Sequence, residues 1–122
     1  MKVFVYEHMN GGALAGESAE DSLRTEGWAM LSAVLADFNS YRCKGIDTTT
    51  LLDTSRSAPG RIVLVSAPHK ADSVFRELAR EADRTLVIAP ETGGILEARC
   101  RWVGCLSGAR FHRPRLLYCL AP

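Results

Sequence analysis

Three short runs, Val3-Phe4-Val5-Tyr6, Ile62-Val63-Leu64-Val65 and Leu86-Val87-Ile88-Ala89, are apolar at every position. A strand with one wet face alternates apolar and polar residues, so unbroken runs of this length describe strands covered on both faces. Strands of that kind belong to parallel sheets with helices on either side. This constrains the chain more than any other feature, because parallel neighbours need crossover connections, and those connections should appear as helical patterns between the runs.

They do appear. After Ser18 and an acidic turn at Glu20-Asp21, apolar residues and one glycine recur as Leu23, Gly27, Met30, Leu31, Val34, Leu35 and Phe38, the spacing of a long amphipathic helix ended by Asn39 and Ser40. Gly27 inside it costs about 1 kcal/mol relative to Ala, which points to close packing, most simply against the sheet. Ile46 to Asp53 reads as a second strand rich in Thr and Leu, residues 54–60 as a loop, and Arg61 to Val65 as a third strand. Pro68 opens a helix whose inner side carries Val74, Phe75, Leu78 and Ala82, with Arg76, Glu77, Arg80 and Glu81 outside. Arg84 to Ala89 is a fourth strand. Ile95, Leu96, Cys100 and Val103 mark a third helix stopping near Gly104 or Gly108, and Arg115 to Leu120 a short fifth strand. The expected class is α/β, with a mainly parallel sheet of four to five strands and right-handed crossovers.

A chain of 122 residues buries one core, so residues 1–122 are expected to form a single domain. A net charge of +1 gives no basic excess to predict nucleic acid or a membrane surface as a partner. No apolar stretch approaches the roughly 20 residues that span a bilayer, and Met1 leads directly into a strand, so a cytoplasmic protein is expected. Cys43, Cys100, Cys105 and Cys119 match neither a zinc-site nor a redox spacing and read as reduced, buried or half-buried thiols.

In open α/β sheets, ligands bind beyond the carboxyl ends of the strands. Two strand ends carry both glycine and a carboxylate: Tyr6-Glu7-His8-Met9-Asn10-Gly11-Gly12 after the first strand and Pro90-Glu91-Thr92-Gly93-Gly94 after the fourth. Neither fits a dinucleotide fingerprint or a phosphate loop. At the first, glycines let backbone approach a ligand, and Glu7 reads either as a contact for an ammonium group or as a solvated strand-end residue. His8 reads as a structural histidine before it reads as a base. At the second, Glu91 or Thr92 is placed to cap the third helix, with Gly93 and Gly94 keeping its first turn bare and its amides open. His69 and His112, the latter among Arg110, Arg113 and Arg115, read as exposed polar positions. No residue stands out as catalytic or metal-ligating.

Taken together, V-F-V-Y-E-H-M-N-G-G, the helix S-L-R-T-E-G-W-A-M-L-S-A-V-L-A-D-F, the strand ending L-L-D, and E-A-D-R-T-L-V-I-A-P-E-T-G-G-I-L resemble the N-terminal domain of ATP-grasp ligases, in particular the group that includes tyramine-glutamate ligase. The likeness runs from Met1 to about Val103. It implies a Rossmann-like, three-layer preATP-grasp domain in an enzyme that joins a carboxylate to an amine through an acyl-phosphate. It implies that Glu7, Asn10, Gly11 and Gly12 form a substrate-facing turn, with Glu91, Thr92, Gly93 and Gly94 beside it. ATP and magnesium would be bound by later grasp domains, which lie outside this chain, so this polypeptide alone should not be a competent ligase. Surface left apolar by their absence would favour self-association. The competing expectation is a stand-alone Rossmann-like binding or interaction module, in which the same loops capture a small anion or amino acid or an exposed apolar face mediates dimerisation. An enzyme using a nucleotide cofactor is disfavoured by the missing glycine fingerprint.

Overall fold

A computed structural model describes residues 1–15, 21–90, 92–107 and 116–120. Five parallel strands, β1 (Lys2–Glu7), β2 (Asp47–Leu52), β3 (Arg61–Leu64), β4 (Arg84–Ile88) and β5 (Leu116–Leu120), lie in the order β3-β2-β1-β4-β5. Three helices cover them: α1 (Asp21–Ser40), α2 (Pro68–Glu81) and α3 (Ile95–Ser107). The α/β class, the parallel sheet and the Rossmann-like sandwich expected from the sequence are all present.

Alternation along the strands divides the core in two. Phe4, Tyr6, Leu51 and Val87 point to one face, where α2 and α3 supply Ala71, Phe75, Leu78 and Val103. Val3, Val5, Leu52, Leu86 and Ile88 point to the other, where α1 supplies Leu31 and Leu35. The runs in β1 and β4 therefore serve both layers at once, which is why they do not alternate, whereas the run in the edge strand β3 is only partly covered, with Ile62 and Val63 half-buried and Leu64 exposed. Phe75 anchors the first layer through edge-on contacts with Phe4 and Tyr6, at ring-centroid distances of 5.4 and 4.7 Å. Thr50 sits in the interior strand β2 because its hydroxyl donates to the Val5 carbonyl at 2.8 Å.

Element boundaries hold within a few residues, with three corrections. Leu23 is exposed, not part of the inner stripe of α1, which runs through Gly27, Leu31 and Leu35. Gly27 lies level with the last residue of β1, so Leu23, one turn earlier, is already past the strand ends. The thiol expectation also fails at two positions: Cys100 is disulfide-bonded, and Cys43, though free, is exposed and not buried. Sequence separation gave no sign of the pairing, since folding alone decides which sulfurs meet. The loop expected at 54–60 is present, and residues 53–60 join two parallel neighbours without a helix. Eight extended residues reach about 26 Å, ample for passing back along a short strand, and Ala58 packs into the α1-side cluster while Arg56 stacks over Trp28 of α1 at 4.7 Å.

The order places the topological switch between β1 and β4. From β1 the chain leaves through α1 to β2 on one side; from β4 it leaves through α3 to β5 on the other. The crevice between two such diverging connections is where ligands enter sheets of this kind.

Candidate functional site

The two segments singled out in the sequence leave the sheet at this switch point. β1 and β4 pair through Glu7 and Ile88, and the His8 N–H donates to the Ile88 carbonyl, so the pairing continues one residue beyond β1. Past it the two loops diverge.

The first loop folds over β2 and β3. Glu7 points to the α1 face and is only 2% exposed. Its Oε1 accepts from the Met9 N–H at 2.9 Å, and its Oε2 accepts from the Asn10 N–H at 3.0 Å and the Asn10 Nδ2 at 2.7 Å. Burial pushes the Glu7 carboxyl above the usual carboxylate range, and the three donors, with Arg24 further off, pull it partly back. The position that looked like a ligand contact is thus occupied by a carboxylate that shapes its own loop. Asn10 passes the tie onward: its Nδ2 also donates to the Arg24 carbonyl at 3.1 Å, and its carbonyl accepts from the Asp53 N–H at 2.9 Å. Arg24 closes the ring, with Nη1 on Asp53 at 2.9 Å and Nη2 on the Leu14 carbonyl at 2.9 Å. Gly11 and Gly12 are buried, and Gly12, at φ 95°, presses against Val65 and Ala71 where no side chain would fit. The Asn10-Gly11-Gly12 turn is a packed wall of the crevice, with half-buried His8 and Met9 at its edge.

The second loop is open. Thr92–Gly94 forms an exposed 3-10 turn in which Gly93 and Gly94 take φ 67° and 70°, and a side chain at either would meet only empty space. Glycine is needed there for its left-handed backbone, not for room. This differs from the expected bare first turn: the glycines precede α3, which begins at Ile95, and Leu96 N–H reaches back to the Pro90 carbonyl at 3.2 Å. Glu91 lies outside the described residues, as do His112 and the basic residues around it; His69 is exposed.

Between the loops, on the α2/α3 face, stands a cluster that sequence reading missed. Arg99 of α3 is 6% exposed, its guanidinium 5.0 Å from the Tyr6 and Phe75 ring centres and 4.3 Å from that of Trp102. Nη2 donates to Asp72 Oδ1 at 3.0 Å. Nη1 is buried and has no hydrogen-bond partner among the described residues. Tyr6 Oη and His8 Nδ1 lie 3.2 Å apart beside it. Burial, and then the Arg99 charge, pull the His8 imidazole down to about 4, while burial drives the Tyr6 hydroxyl well above its ordinary value. Periodicity carried a signal: Arg99 falls four residues from both Ile95 and Val103, on the apolar stripe of α3, where a charged residue is out of place.

The family model of the pre ATP-grasp 3 domain matches residues 46–109, just over half of the chain. The chain belongs to that family. No curated protein and no solved structure matches it. In this pre ATP-grasp domain the matched span carries β2 to α3, and with them Asp72, Thr92–Gly94 and Arg99, while Glu7 and Asn10–Gly12 precede it.

The amide of Asn10, which a phosphate loop would offer to an anion, is already given to Glu7, and among the described residues no group of three His, Cys, Asp or Glu side chains is placed to hold a metal. Among the same residues no helix is long and apolar enough to cross a membrane. A cavity of about 450 Å³ opens at the opposite, amino end of the sheet, lined by Lys2, Asp47, Thr48 and Arg61 among others. It is remote from the switch point.

Proposed function

We propose that this domain is the substrate-side N-terminal module of an ATP-grasp carboxylate-amine ligase of the tyramine-glutamate ligase-like group, and that it works by holding one small substrate, an amine or amino acid, in the crevice between β1 and β4. ATP and magnesium belong to partner domains of the grasp. The observation that carries the reading is the switch point itself: family membership comes together with two glycine-bearing loops that diverge from adjacent strand ends.

The division of labour follows from the geometry. Glu7 and Asn10 hold the first loop as a preformed wall with Gly11 and Gly12, so little ordering is left to do when a substrate arrives. Thr92, Gly93 and Gly94 form the accessible wall. An amine would be met by carbonyls and by the field of the buried Glu7 carboxylate without direct contact with it.

Calorimetry on the 122-residue chain tests this reading. A saturable heat is expected with a primary amine or an amino acid, and none with magnesium-ATP. Tight magnesium-ATP binding would contradict the assignment; binding of an amine or amino acid at another surface would favour a stand-alone binding module.

A further inference from the structure

Arg99 is the one charged side chain of α3 turned into the core, and among the described residues nothing accepts a hydrogen bond from its Nη1. A buried, unpaired guanidinium N–H forfeits a strong interaction, and such groups in native proteins mark a missing water, ion or ligand. Asp72 satisfies only Nη2, and the rings of Tyr6, Phe75 and Trp102 fix the guanidinium plane without supplying an acceptor. Beside it His8, kept uncharged, and the Tyr6 hydroxyl form a hydrogen-bonded pair, and His8 is the half-buried member facing the crevice edge. We infer that Arg99, with His8 and the Tyr6 hydroxyl, is a subsite for the carboxylate group of the small molecule held at the switch point.

The charge balance favours a carboxylate over a phosphate. The guanidinium's single positive charge is already partly offset by Asp72, and the neighbouring imidazole is neutral, so less than one net positive charge faces an anion here, which disfavours a dianion more than a monoanion. The cluster meets the surface at half-buried His8 and at Asp72, whose side chain is 55% exposed. The inference deepens the proposed substrate-holding role and rests on it: it requires that the substrate held here, or the amino acid from which it derives, bears a carboxylate.

The experiment is an NMR titration of the full chain with acetate, inorganic phosphate and methylamine in turn, read at the His8 ring and the Arg99 side-chain resonances. Acetate is expected to give saturable shifts at both, with phosphate weaker. Arg99→Met keeps the packing length and removes the donors, and should weaken the acetate response about tenfold or more, the loss expected for a charge-assisted hydrogen bond. Asp72→Asn, which keeps an Oδ1 acceptor for Nη2 and removes only the competing negative charge, should tighten it severalfold. The inference is overturned if acetate leaves His8 and Arg99 unmoved, if phosphate binds there more tightly than acetate, or if Asp72→Asn leaves acetate binding unchanged or weaker. Shifts by methylamine at Met9 or Thr92–Gly94 with none by acetate would overturn the carboxylate subsite and leave the substrate-holding role standing.

Discussion

Gly27 of α1 lies directly against the carboxylate of Glu7: a Cβ on Gly27 would stand 2.5 Å from Oε1 and 2.8 Å from Oε2. A glycine in mid-helix, unfavourable by about 1 kcal/mol, is thereby tied to a buried acid at the end of the first strand. The helix comes close enough to seal Glu7 from water, and the sealed carboxylate then organises the loop that follows.

Gly27→Ala should therefore destabilise the fold although alanine is the better helix former. The clash outweighs the propensity gain, with an expected net loss of about 1–3 kcal/mol, the usual range for overpacking. Urea denaturation measures it. Gly27→Ala as stable as the parent chain would disprove the contact.

Glu7 and His8 pull the pH dependence of stability in opposite directions. The folded Glu7 carboxyl is raised above its unfolded value of about 4.5, so the native state holds its proton longer and this group's contribution falls as pH rises from there through the folded value. His8 is lowered from 6.5 to about 4, so the unfolded chain takes up a proton first and stability is lost as pH falls through that window. An NMR titration should place the His8 midpoint near 4, and Arg99→Met should raise it. In Glu7→Gln the loss on the alkaline side of 4.5 should vanish from the urea midpoints measured across pH 4–8.

Removing Arg24 should cost more than removing the charge on its partner. Asp53 has a nearly buried carboxylate whose Oδ2 takes Arg24 Nη1, and Arg24→Ala leaves it unpaired while also releasing the Leu14 carbonyl. A loss of about 3 kcal/mol is the expected scale for a broken buried pair. Asp53→Asn should lose less, and a double-mutant cycle should show the two positions coupled.

Thiol chemistry should separate two cysteines. Cys43 is exposed and free and should be alkylated in the native, non-reduced protein; Cys100 should be labelled only after reduction. Mass spectrometry of the labelled peptides distinguishes them. Labelling of Cys100 without reductant would contradict the disulfide.

Much of this architecture was legible in the sequence because it rests on local pattern. The continuous apolar runs of β1 and β4 report two-sided burial, though the similar run in the edge strand β3 leaves Leu64 exposed, Pro68 stands at the first turn of α2 where a missing N–H costs nothing, and Gly27 announced a close approach. What was not legible depends on who meets whom. The strand order follows from the side each crossover takes, which no single run encodes. Glu7 looked available because Asn10 and Gly27, separated from it by 3 and 20 positions, reach it only after folding. The Asn10-Gly11-Gly12 turn could be foreseen as a turn, but not as a turn packed onto Val65 and Ala71. Arg99 could have been found as a charge on an apolar stripe; its partners, on α2 and β1, could not.

Backbone-amide shift mapping on the full chain, titrated with a primary amine and with an amino acid, tests the substrate-holding role most directly. The expected outcome is saturable movement on both sides of the crevice, at His8 and Met9 and at Thr92, Gly93 and Gly94, with magnesium-ATP moving none of them. Movement confined to the amino-end cavity around Lys2, Asp47 and Arg61, or saturable movement of the crevice residues by magnesium-ATP, would contradict it.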